Sequence, residues 1–77
     1  MGKKLFKYDK ILCKKLGKKI SELRMDLGIT QEELAFRANI SPSYMSAIER
    51  GITDSTVSTV KRLSKALQID LCNLFKF

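Results

Sequence analysis

Apolar residues recur with a helical period along most of the chain. Leu5, Tyr8, Leu12, Leu16, Ile20, Leu23 and Leu27 are spaced three and four residues apart, which places them on one stripe with the lysines mostly outside it. The spacing predicts a helix over residues 9–27, with Gly17 as a weak point and Gly28 as its left-handed stop. Residues 1–8 either extend that helix or form an arm. No window alternates apolar and polar residues for long, so strands are not expected.

Four further helices follow from capping signals. Thr30 with Glu33 fits a capping box, so a second helix starts near Gln31 and runs through Ala38, where Asn39 ends it. Ser41 caps a third with Pro42 in its first turn, and Gly51 terminates it. Ser55 or Thr56 caps a fourth, with apolar positions Val57, Val60, Leu63 and Leu67, and Asp70 caps a short fifth carrying Leu71, Leu74 and Phe75. Five short helices with tight connections describe a compact all-α domain.

Composition narrows the class. Seventy-seven residues make one small domain, and no apolar run exceeds three residues, so neither a transmembrane helix nor a secretory signal is expected. Cys13 and Cys72 lie far apart, without metal spacing and without a histidine to complete a site. They read as structural free thiols in a reducing cytoplasm, and no cofactor or metal is implied. An enzyme is not expected either, because the chain has no histidine, nucleophile elbow or phosphate loop.

Charge changes the picture more. Residues 1–19 carry eight lysines against Asp9 alone, while residues 20–77 carry seven basic and seven acidic residues. All of the net charge of +7 therefore sits in the first quarter of the chain. This suggests an anionic partner, nucleic acid or membrane surface, against the alternative of a solvated face that aids solubility.

The second and third helices, with apolar residues at Leu34, Ala38, Ile40, Met45 and Ile48, resemble the helix-turn-helix of the Cro and phage-repressor superfamily, also called Xre-like. Counted from Gln31, these are the family's fourth, eighth, tenth, fifteenth and eighteenth positions. Ala35 stands at the small fifth position, and Asn39 at the ninth, where the family usually has glycine. The resemblance covers about residues 16–75 and implies a lambda-repressor-like five-helix domain at 16–77, preceded by a basic extension at 1–15. It also implies an ion pair between Arg24 and Glu49. The run Ser43-Tyr44-Met45-Ser46-Ala47-Ile48-Glu49-Arg50-Gly51 is most similar to the small controller proteins of restriction-modification operons.

With Met45 and Ile48 facing the core, Pro42, Ser43, Ser46, Ala47 and Arg50 become the candidate readers of base edges. Ala47 suits a thymine methyl, and Arg50 suits either a bidentate guanine contact or a phosphate. Pro42 has no base-reading chemistry, so DNA shape is expected to contribute to site choice. Gln31 and Tyr44 resemble the family's phosphate contacts. Thr53, Ser55 and Thr56, with Arg37, Lys14 and Lys15, are the remaining phosphate candidates. The implied partners are a double-stranded DNA operator and a second copy of the chain, with no small-molecule ligand and no membrane. Leu71, Leu74, Phe75 and Phe77 are the first choice for the dimer interface, and Leu5, Phe6 and Tyr8 the second. The expected function is a dimeric, sequence-specific transcriptional regulator. A phage Cro-like repressor or a helix-turn-helix antitoxin would have nearly the same sequence. From another class, residues 1–19 could form a basic amphipathic helix lying on anionic membrane.

Overall fold

The structure, a computed structural model, describes residues 9–77. Expectations for residues 1–8, including the second-choice interface at Leu5, Phe6 and Tyr8, lie outside them. The described residues are all-helical: four α-helices, α1 (Lys10–Asp26), α2 (Gln31–Ala38), α3 (Pro42–Arg50) and α4 (Val57–Ala66), and a final 3-10 helix, Leu71–Phe75.

Each α-helix begins on a side-chain cap. Asp9 Oδ1 accepts from the Leu12 amide at 3.0 Å, Thr30 Oγ1 from Glu33 at 3.0 Å, Ser41 Oγ from Tyr44 at 3.1 Å and Thr56 Oγ1 from Thr59 at 3.1 Å. Thr56, not Ser55, is thus the cap of α4. Only half of the Thr30 box forms, because the Glu33 carboxylate turns to Arg37, whose Nε lies 2.9 Å away. Helix ends use left-handed residues: Gly28 at φ 71°, Asn39 at φ 58° and Gly51 at φ 71°. After α1, the Gly28 amide donates to the Met25 carbonyl and the Ile29 amide to that of Arg24, so the chain reverses in two residues.

The fifth predicted helix is corrected to a 3-10 turn. Its Asp70 occupies the N-cap position without a side-chain cap bond. A three-residue period aligns Leu71 with Leu74 and lets a short segment close the core.

The core joins Leu16 and Ile20 of α1, Leu34, Ala35 and Ala38 of α2, Met45 and Ile48 of α3, Val60 and Leu63 of α4, then Leu67 and Leu74. α1 packs on α3, α2 on both α3 and α4, and the 3-10 helix on α1 and α4. Three expectations are corrected here. Leu12 and Leu27 are exposed, and Cys13 takes the inward position in the first turn of α1. Val57 is 79% exposed, because the fourth helix turns its first residue outward. Gly17 is a packing site rather than a weak point: a Cβ there would meet the backbone carbonyls of Ile48 and Glu49, the latter at 2.6 Å. Gly51 answers it from the C-cap of α3, where a Cβ would lie 2.6 Å from Lys14 Cα. Two glycines thus set the closeness of α1 and α3.

Candidate nucleic-acid interface

The turn at Asn39–Ser41 aims α3 away from α2 while keeping the two in contact. Met45 and Ile48 lock α3 inward at 0% and 2% exposure. A helical period then puts Pro42, Ser43, Ser46, Ala47 and Arg50 toward solvent or the half-buried flanks. Pro42, Ser43 and Arg50 are exposed, and Ser46 and Ala47 half-buried. Arg50 Nε lies 3.4 Å from the Ser46 carbonyl, which leaves the far end of its guanidinium in solvent.

Behind this face sits a polar cluster. Arg24 Nε donates to Glu49 Oε2 at 2.7 Å, Nη2 to Oε1 at 3.1 Å, and Nη1 to the Ile29 carbonyl at 2.8 Å. Gln31 Nε2 donates to the same Glu49 oxygen at 2.9 Å. The cluster ties α1, the α1–α2 turn, α2 and α3 to one carboxylate. Gln31 therefore spends its side-chain donor on Glu49, while its backbone amide stands in the open first turn of α2.

The other phosphate candidates divide. Tyr44 is half-buried and packs on the core. Arg37 is exposed and paired with Glu33 along α2. Thr53 and Ser55 are half-buried, and Thr56 uses its hydroxyl as the cap of α4. Lys14 abuts Gly51 at the end of α3. Lys15 does not share that site: it lines a cleft with Lys18, Lys19, Glu22, Lys76 and Phe77. Adjacent residues on a helix diverge by about 100°, so the two lysines face different neighbours.

The expected dimer set is also divided. Leu74 is corrected to a core residue at 0% exposure, which no partner can reach. Leu71 and Phe75 instead join Leu12 and Val57 around an apolar groove of about 230 Å³, floored by Cys13, Leu16 and Val60. Phe77 lies across from Phe75, ring centroids 6.4 Å apart, and lines the lysine cleft. Sequence reasoning missed Leu12 and Val57, whose exposure is visible only once the helices are packed. Burial pushes the Cys13 thiol pKa up, and the carboxylates of Asp54 and Asp9 add to the effect.

No helix among the described residues is long and apolar enough to cross a membrane. The helix-turn-helix family model matches residues 20–74. Among curated proteins, the chain is 39% identical over 56 residues to the uncharacterized HTH-type transcriptional regulator y4dJ of Sinorhizobium fredii, covering 73% of each chain. It is 32% identical to the control protein C.BamHI of Bacillus amyloliquefaciens, over 79% of this chain and 76% of that one. Among solved structures, the restriction-modification controller protein C.AhdI of Aeromonas hydrophila superposes with a TM-score of 0.80 at 35% identity, covering 82% of this chain and 96% of that one. The family match spans Arg24, Gln31 and Glu49 of the ion cluster together with α2, α3 and α4, and the chain belongs to the helix-turn-helix family of DNA-binding transcriptional regulators.

Proposed function

We propose that the protein is a homodimeric, sequence-specific regulator in which α2 and α3 form the helix-turn-helix and α3 enters the major groove of an operator. The observation that carries this reading is the open face of α3, from Ser43 to Arg50, held end-on by the Arg24–Glu49–Gln31 cluster. A groove about 12 Å wide accepts one helix, and its neighbour must turn aside, as α2 does at Asn39. Arg50 is the base-reading candidate with most discriminating power, Ser43, Ser46 and Ala47 add weak contacts, and DNA shape supplies the rest. The first-turn amide of Gln31, with Lys14, Thr53 and Ser55 near the end of α3, supplies phosphate contacts. In this assignment residues 16–77 are the DNA-binding domain, and residues 1–15 a basic extension.

One such domain buries little surface, so two on half-sites about 34 Å apart are the working unit. The apolar groove around Leu12, Val57, Leu71 and Phe75 is the surface that a second copy covers. Similarity to C.AhdI and C.BamHI supports a controller of a restriction-modification operon acting in the cytoplasm. The membrane-surface alternative lacks support from α1, whose Cys13, Leu16 and Ile20 are committed to the interior. Selection of bound sites from random duplex DNA tests the proposal. A palindromic consensus is expected, and recovery of no enriched sequence would reject it.

A further inference from the structure

Part of the positive charge of α1 lies on the side of that helix turned away from α3. Gly17 presses α1 against the carbonyls of Ile48 and Glu49 in α3. Lys15 and Lys19 lie two residues before and after it, about 200° round a helix of 3.6 residues per turn, and so point away from α3. Lys18 and Glu22 complete the same outward face at three- and four-residue spacing. The C-terminal Lys76 and Phe77 fold against this face and close a cleft of about 320 Å³. Four side-chain ammonium groups against the one side-chain carboxylate, that of Glu22, give the lining side chains a formal excess of three positive charges. Neither of the two ion pairs among the described residues uses any of these lysines. A duplex seated on α3 is separated from them by the width of α1, about 10 Å. Residues 20–77 are neutral in sum, and three of the five lysines of α1, Lys15, Lys18 and Lys19, lie on the face that an operator on α3 does not touch.

Resting on the reading that α3 binds the operator, we propose that the cleft of Lys15, Lys18, Lys19 and Lys76 is a second phosphodiester site that holds the backbone of another DNA segment, so that the operator-bound protein bridges two duplexes. Lysines act here as mobile point charges and carry no base code, so the second segment is bound without regard to sequence. Phe77 and the lysine stems provide an apolar wall against the sugar edge.

The test immobilises a short duplex carrying a selected site on beads, saturates it with the full-length protein, and measures capture of a labelled duplex of unrelated sequence. Capture is expected at low salt, with steep loss as salt rises. The triple variant Lys15→Glu, Lys18→Glu, Lys19→Glu is expected to lower capture about tenfold while its affinity for the short operator stays within about twofold, and replacement of all three by arginine is expected to retain capture. Operator binding without capture by the wild-type protein overturns the proposal, as does a triple variant that still captures. Binding to anionic vesicles with no captured duplex overturns it in favour of a lipid surface. Failure of the wild-type protein to bind any selected site is a different result, because it rejects the operator reading itself.

Discussion

Arg24 grips Glu49 with two guanidinium nitrogens, at 2.7 and 3.1 Å, and spends a third on the Ile29 carbonyl. The pair is largely out of solvent, with side chains 14% and 5% exposed. Bringing two charges out of water offsets much of their attraction, so its main effect is to fix the angle at which α3 leaves the domain. Removing one partner is a different matter, because the other remains buried and unpaired. Arg24→Ala is expected to cost about 3 kcal/mol in urea unfolding. Glu33→Ala, which removes the exposed partner of Arg37, is expected to cost no more than about 0.5 kcal/mol. Equal losses would show that the cluster is not buried in solution.

Gly17→Ala distinguishes packing from propensity. Alanine in an exposed helix is favoured over glycine by about 1 kcal/mol. At residue 17 its Cβ would meet backbone oxygens, which cannot rotate away. The expected outcome is therefore the opposite sign, a loss of roughly 1–3 kcal/mol read as a lower melting temperature.

Lysine position matters more than lysine number for operator binding. Lys14→Ala is expected to weaken binding to a short operator and to reduce the salt slope by about 0.9 for a lost phosphate contact. Lys15→Ala is expected to leave both unchanged on that duplex. Arg50→Ala is expected to relax preference at one base position by about 1–3 kcal/mol. A loss that is uniform across sequences would reassign Arg50 to phosphate.

The groove assignment separates two leucines that are neighbours in the sequence pattern. Val57→Asp and Phe75→Asp are expected to give folded monomers by sedimentation velocity, since each charge falls in the apolar groove at residues already exposed in the monomer. Leu74→Asp is expected to abolish the cooperative fold, because it buries an unpaired carboxylate. Unchanged dimers from both groove variants would move the interface elsewhere.

Cys13 sets an alkaline limit. Burial, with Asp54 and Asp9 nearby, holds its folded thiol pKa above the unfolded one. The unfolded thiol thus ionises first as pH rises, and the stability linked to the neutral thiol is full below the ordinary range near about 8.5 and lost above it. The urea midpoint of the wild type is expected to fall between about pH 8.5 and 10 more steeply than that of Cys13→Ala. At pH 7.5, Cys13 should also react with a thiol probe more slowly than the exposed Cys72.

Much of this fold was legible because its signals are local. Thr30, Ser41, Gly28, Asn39 and Gly51 act within one helical turn, and their hydrogen bonds and positive φ angles are decided by the residues themselves. The failures share a cause. Val57 fits an apolar stripe and points to solvent, Leu12 yields its place to Cys13, and Leu74 closes the core instead of facing a partner. Periodicity fixes which residues share a face but not where the covered arc of that face begins and ends.

The sequence by itself determined the helical elements, their boundaries at caps and left-handed residues, the concentration of charge before residue 20, and the family pattern on α2 and α3. Only the tertiary structure decided that Gly17 is the contact between α1 and α3, that Gln31 joins the Arg24–Glu49 cluster, and that Lys14 meets Gly51 while Lys15 lines a cleft with Lys76 and Phe77. Capping and periodicity act over three or four residues along one chain segment. Closest approach, burial and the sharing of a carboxylate arise between segments that packing brings together, as Gly51 is brought against Lys14 across 37 residues of chain, and one-dimensional spacing carries no record of that distance.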